Sequence, residues 1–437
     1  MVNRLIRRAA SAVCALACLS ALPAHAAIWE ATSEWTEEHE RTYAEWVREE
    51  FDKDFFHQPE ETTIFGLALD CSDAIYAMRI MYAYENSLPF AINDPTGKRR
   101  TLSNEFTKWD GYRETRREEL DDGTWRTYQG PEFTESDKVR AFIDYVGDVT
   151  STLNLVNDTY PVALDDIQPG DMFLLPRNHA YIVKDIDATG AMTTLSHSSP
   201  RAWRIMAEIQ DFPAEVAEDS RKRDGYRRFK PIEHLRTAPA DVPGASLEQW
   251  EIAANLGGSR EAFALATQEA LASVKEPLGQ KASRLFASLC DYAAQRVDIV
   301  NHGLNYLARM EENHGRQCMG IGEYAEYSTP GRDKKLDGQF RVLGALRSDP
   351  AWGESSFAEK EAIEAIFDPE NTLTEEEVGA FCAVPFDIGG GRNMTLRELY
   401  RGLEAGRLVS DPHAPLEYRW GLARDGWSPQ CKSAMRS

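Results

Sequence analysis

The chain is poor in cysteine, with seven in 437 residues. That is too few for a small disulfide-dense scaffold, so each cysteine is weighed by its own surroundings. Positive charge is also scarce: 49 Lys and Arg face 71 Asp and Glu, a formal net charge of −22. Such a balance excludes the basic stripe with which nucleic-acid binders displace counterions from phosphates, and no nucleic-acid partner is expected. Beyond residue 22 no segment reaches the roughly 18 uninterrupted apolar residues of a transmembrane helix, so an integral membrane protein is not expected either. What is present, 42% hydrophobic and 10% aromatic side chains, suffices for one large domain or two ordinary ones.

The first 26 residues read as a signal peptide. Arg4, Arg7 and Arg8 form a positive start, Ala9 to Leu22 is an apolar run, and Pro23-Ala24-His25-Ala26 offers the small-x-small pattern of a cleavage site. Cleavage after Ala26 takes the net charge from −22 to −25 and sends the protein to a periplasmic or secreted location. It also removes Cys14 and Cys18, leaving Cys71, Cys290, Cys318, Cys382 and Cys431 where thiols are oxidised. Five is odd, so one is left over. The last four make two expected disulfides, with three pairings open and Cys290–Cys318 a plausible local clasp.

Periodicity divides the remainder in two. Residues 33–56 show helical spacing of Trp35, Tyr43, Trp46, Val47, Phe51 and Phe55. Cys71 to Tyr84 suits a buried helix, and 93–129 reads as loops with a hairpin near Asp122-Gly123. A further helix covers Ser136 to Val149, and strands at 172–175, 180–183 and 192–195 form an antiparallel meander. Residues 27–240 therefore make an α+β domain with a small antiparallel sheet. The Pro- and Ala-rich stretch 237–245 reads as a linker, and 246–437 as a mainly α-helical domain: one helix over 247–274, a long one beyond Pro277, and two starting at the capping-box pairs Thr374/Glu377 and Thr395/Glu398.

The leftover cysteine carries the chemistry. Cys71 opens its helix after Asp70, where unpaired first-turn amides and the positive dipole end favour a thiolate and can bind an oxyanion. A thiol nucleophile needs a base, and His179 stands at the start of a strand after the break at Pro176. A third polar group should orient the imidazole. His197, at the end of the next strand, is the first candidate and Ser196 the reserve. Cys290, His302, His314 and Cys318 lack the tight pairs of a zinc site, and no metal or cofactor is expected.

Asp70-Cys71-Ser72, Ile167-Gln-Pro-Gly-Asp-Met-Phe173, His179-Ala-Tyr-Ile-Val183 and Ser196-His197 follow the order of motifs in the NlpC-type cell-wall peptidases, which this region resembles from about Thr62 to Pro200. The resemblance implies a papain-like fold with Cys71 as nucleophile, His179 as base and His197 as orienter. It also implies hydrolysis of amide bonds in peptidoglycan stem peptides. The sequence departs from the family pattern at Asp73 and at Ala180-Tyr181, where Gly and Val-Gly are usual. The segment from Cys71 to Leu88-Pro89-Phe90 is also similar to the cysteine helix of transglutaminase-like proteins, which implies acyl or peptidyl transfer through the same Cys71 and His179. A catalytically idle scaffold binding cell wall or another protein is the remaining alternative. The helical half is expected to cover the cleft, position substrate or bind a protein partner.

Overall fold

The structure, a computed structural model, describes residues 27–59, 63–119, 124–197, 207–210, 223–315, 318–368 and 391–423, with scattered positions between and after these. The expected signal peptide and the helix expected from Thr374 lie outside the described residues.

Near the start, α1 runs Glu37–Glu50, capped by the Thr36 hydroxyl accepting from His39 N–H. It is shorter than the expected 33–56. The chain leaves the helix at Phe51 and makes a single 3-10 turn at Phe55–His57, which still buries Phe51, Phe55 and Phe56. Helix α2, Cys71–Glu85, is buried over nearly its whole length. Short strands β1 (Ala91–Asn93) and β2 (Thr101–Ser103) pair with each other, and β3 (Arg113–Glu119) with β4 (Trp125–Glu132) forms a separate antiparallel hairpin. Next come α3 (Glu135–Val149) and α4 (Thr152–Asp158).

The principal sheet has six antiparallel strands: β5 (Thr159–Pro161), β6 (Met172–Leu175), β7 (His179–Ile186), β8 (Met192–Ser196), β9 (Ala207–Gln210) and β10 (Gly225–Phe229). Their order in space is β5-β10-β6-β7-β8-β9, so the expected meander forms the centre. Two glycines shape the turns around it. Gly170 precedes β6 at φ +89°, and an added Cβ would meet the Tyr43 ring at 2.7 Å; at Gly190, between β7 and β8, φ is +76° and a Cβ would sit 2.0 Å from the Gln268 carbonyl oxygen. Only glycine fits either place.

Both faces of this sheet are covered. Met172, Leu174, Ala180, Ile182, Leu195 and Phe229 pack into one core with α1, α2 and α3. The alternate residues Phe173, Tyr181, Val183, Met192 and Tyr226 pack into a second core with the C-terminal helices. Those are α5 (Glu248–Asn255), α6 (Arg260–Leu271), the long α7 (Leu278–His314), α9 (Pro330–Leu346) and α10 (Lys360–Phe367), followed by the helix Leu396–Glu404; the short α8 (Ile321–Tyr327), between α7 and α9, buries none of its residues. The result is a mixed α+β molecule in which the sheet lies between two helical layers. The expected linker is packed rather than extended into solvent: Val242 is 3% exposed and belongs to the second core. Gly257 and Gly258, both at positive φ, split the helix expected over 247–274 into α5 and α6. The disulfides are Cys290–Cys382 and Cys318–Cys431, not the local Cys290–Cys318 clasp; Cys71 is the cysteine left free. Among the described residues no helix is long and apolar enough to cross a membrane.

Candidate functional site

Asp70 holds the start of α2. Its carboxylate accepts from Ser72 N–H at 2.8 Å and Asp73 N–H at 3.0 Å, and the Asp73 carboxylate accepts from Asp70 N–H at 2.9 Å. This reciprocal cap is the physical use of Asp73, the residue that departs from the NlpC-type pattern. It fixes Cys71 as the first residue of the helix, 4% exposed. The thiol lies against the backbone N–H of Ala180, the residue after His179 in β7, so α2 delivers Cys71 to the very strand end that carries the histidine.

His179 sits beside Tyr181, two residues along the same strand, with ring centroids 4.6 Å apart in an edge-to-face arrangement. Its Nε2 is hydrogen bonded to the Ser196 hydroxyl. Register explains the choice. Ile182 pairs with Leu195, and side chains alternate along strands, so Ser196 shares a face with Tyr181 and His179. His197 takes the opposite side of that alternation. It is buried at 2%, close enough to His179 to oppose its protonation, yet the group bonded to the imidazole is Ser196. The hydrogen bond to the imidazole thus comes from Ser196, the reserve candidate, and not from the expected His197.

The electrostatics also correct the expectation of a resting thiolate. Burial, then the negative charge of Asp70, push the Cys71 thiol up to about 12, against the opposing Ala180 and Ser72 amides. On the histidine, burial followed by the nearby Lys335 ammonium brings the imidazole down to about 3, with Arg332 and His197 adding to the effect and Asp70 opposing it. At neutral pH the pair is therefore a neutral thiol and a neutral imidazole. Among the described residues no hydrogen bond joins the two; α2 approaches the strand end from one layer, while the His179 ring lies beside Tyr181 toward the other. With Nε2 on Ser196, Nδ1 is the ring nitrogen that this bond leaves open. The cap engages the amides of Ser72 and Asp73, which leaves the Cys71 N–H as the first-turn donor for an oxyanion.

Several charged neighbours come from the C-terminal half. Lys335 of α9 donates from Nζ to the Tyr181 hydroxyl at 3.0 Å. Arg332 and Arg260 lie near enough to lower the Lys335 ammonium, after burial, to about 7. Sequence reasoning missed all of these. The alternation of β7 could have placed Tyr181 beside His179, but nothing in the sequence places a helix 150 residues further on against that strand. Among the described residues no cluster of His, Cys, Asp and Glu could hold a metal ion. No family model, curated protein or solved structure matches this chain.

Proposed function

We propose that the protein is an exported cysteine hydrolase with a papain-like catalytic half, cleaving amide bonds through a Cys71 thioester. The observation that carries this reading is the meeting of a capped helix N-terminus bearing a free cysteine with a strand end whose histidine is held through Nε2 by Ser196. In the proposed reaction the His179 ring turns toward Cys71 on substrate binding, and Nδ1 takes the thiol proton as Sγ attacks the acyl carbon. The Cys71 amide stabilises the oxyanion, and the imidazolium returns its proton to the leaving amine. Water, activated by the same imidazole, then hydrolyses the thioester. Peptidoglycan stem peptides are the substrate class that the resemblance to NlpC-type peptidases brings. The two disulfides agree with an exported protein.

The deep burial of Cys71 and its raised thiol affinity for protons favour a second reading, a papain-like scaffold that binds cell-wall material without cutting it. Incubation with purified peptidoglycan, followed by measurement of new amino and carboxyl termini, separates the two. Hydrolysis by the wild type and none by Cys71→Ser supports the enzyme. Co-sedimentation with peptidoglycan and no new termini in either overturns it in favour of the binding scaffold.

A further inference from the structure

The C-terminal helices do not close fully on the sheet. A cavity of about 420 Å³ remains, bounded by the turn Gly190–Met192, α6, α7 and α9, a volume inside the roughly 300–1,000 Å³ usual for small-molecule sites. Its walls are apolar: Met192, Leu265, Leu285, Val342 and Leu346. Leu265 is 44% exposed at the mouth of the cavity.

The charged residues that line this cavity are all basic. Arg260, Lys281, Lys334, Lys335 and Arg341 line it, and no Asp or Glu is among its lining residues, on a chain whose net charge is −22. Arg341 is held outside by Asp337 at 2.8 Å. Lys335 donates to the neutral Tyr181 hydroxyl. A basic rim beside an apolar hollow is complementary to an anion with an apolar chain; burial, followed by Arg260 and Arg332, lowers the Lys335 ammonium to about 7.

We propose that this cavity binds an amphiphilic anion, its apolar chain between α6 and α9 and its oxyanion head against Arg260 and Lys335. The head would then stand one side chain, Tyr181, from His179. The site stands on its own residues, whatever chemistry Cys71 performs. Carboxylate and phosphate heads share the required chemistry, and competition distinguishes them.

The test is fluorescence titration of the purified protein with dansylaminoundecanoic acid, displaced in turn by dodecanoate, dodecyl phosphate, dodecanol and dodecyltrimethylammonium. Displacement by dodecanoate or dodecyl phosphate should be at least about tenfold stronger than by dodecanol, as for a charge-assisted head-group contact; the stronger of the two names the head. Ala264→Phe, which fills the cavity, should abolish binding, and Lys335→Gln should weaken it about tenfold. Lys334→Glu, at an exposed position on the rim, should weaken it as well. Equal displacement by dodecanol or by the cation, or probe binding unchanged in folded Ala264→Phe and Lys334→Glu, overturns the proposal.

Discussion

Asp171→Asn tests how the chain sets the strand that carries His179. Asp171 ends the Pro-Gly-Asp turn, is 1% exposed, and meets Arg228 of β10 in a two-pronged pair, Nε to Oδ1 at 2.8 Å and Nη2 to Oδ2 at 2.9 Å. It also accepts from Gln168 N–H at 2.9 Å. Stripping a buried cation of its partner typically costs about 3–5 kcal/mol. Here Arg228 retains Asp166 at 3.1 Å and the amide can still accept one bond, so the expected loss is about 2–3 kcal/mol. Urea unfolding of the wild type, Asp171→Asn, Arg228→Met and the double variant measures it. The double variant should be more stable than the sum of the single losses implies, by about 2 kcal/mol. A loss under about 0.5 kcal/mol, or strict additivity, would refute the view that this pair anchors the turn.

Three further outcomes are expected. In an NMR pH titration the His179 ring should keep neutral-imidazole shifts well below pH 6.5, protonating only toward about 3. Because the unfolded chain then binds more protons at His179 than the folded one, this group makes stability fall as pH drops from about 6.5 to about 3; a midpoint near 6.5 would contradict the buried site. Ser196→Ala should lower kcat on a peptidoglycan-derived peptide by about ten- to a hundredfold with little change in KM, since Ser196 positions the imidazole without touching substrate, while a matching His197→Ala effect would restore His197 as the orienter. Cys318→Ser with Cys431→Ser, which opens a span of 113 residues, should cost about 2–4 kcal/mol in urea unfolding; an unchanged midpoint would show that the surrounding packing holds the segment after α7 to the C-terminal stretch without it.

Much of the first half was legible because its signals are local. Asp70 marks the α2 start and helical spacing sets its length to within a residue of Tyr84; in the second half Thr395 with Glu398 forms the expected capping box. The Gly257-Gly258 break could have been read from the sequence too, since two adjacent glycines interrupt a helical pattern. What escaped was long-range. Runs such as Met172-Phe-Leu-Leu175 and Ala180-Tyr-Ile-Val183 are apolar on both parities, the mark of a sheet buried on two faces, yet nothing local says which helices cover the second face. For the same reason Lys335, Arg332 and Arg260 were invisible as neighbours of Tyr181. The choice between Ser196 and His197 turned on a register that a strand end leaves undefined by one residue. The thiol's protonation depended on burial, which sets it against the helix dipole.

The central claim, that Cys71 forms an acyl intermediate with His179 as base, is tested most directly by rapid-quench intact-mass spectrometry during cleavage of a stem-peptide amide. A transient mass increase equal to the acyl fragment is expected, localised to Cys71 and absent from Cys71→Ser and His179→Ala. Cleavage that proceeds at the wild-type rate in Cys71→Ser, or with no adduct on Cys71 at any time, would contradict it.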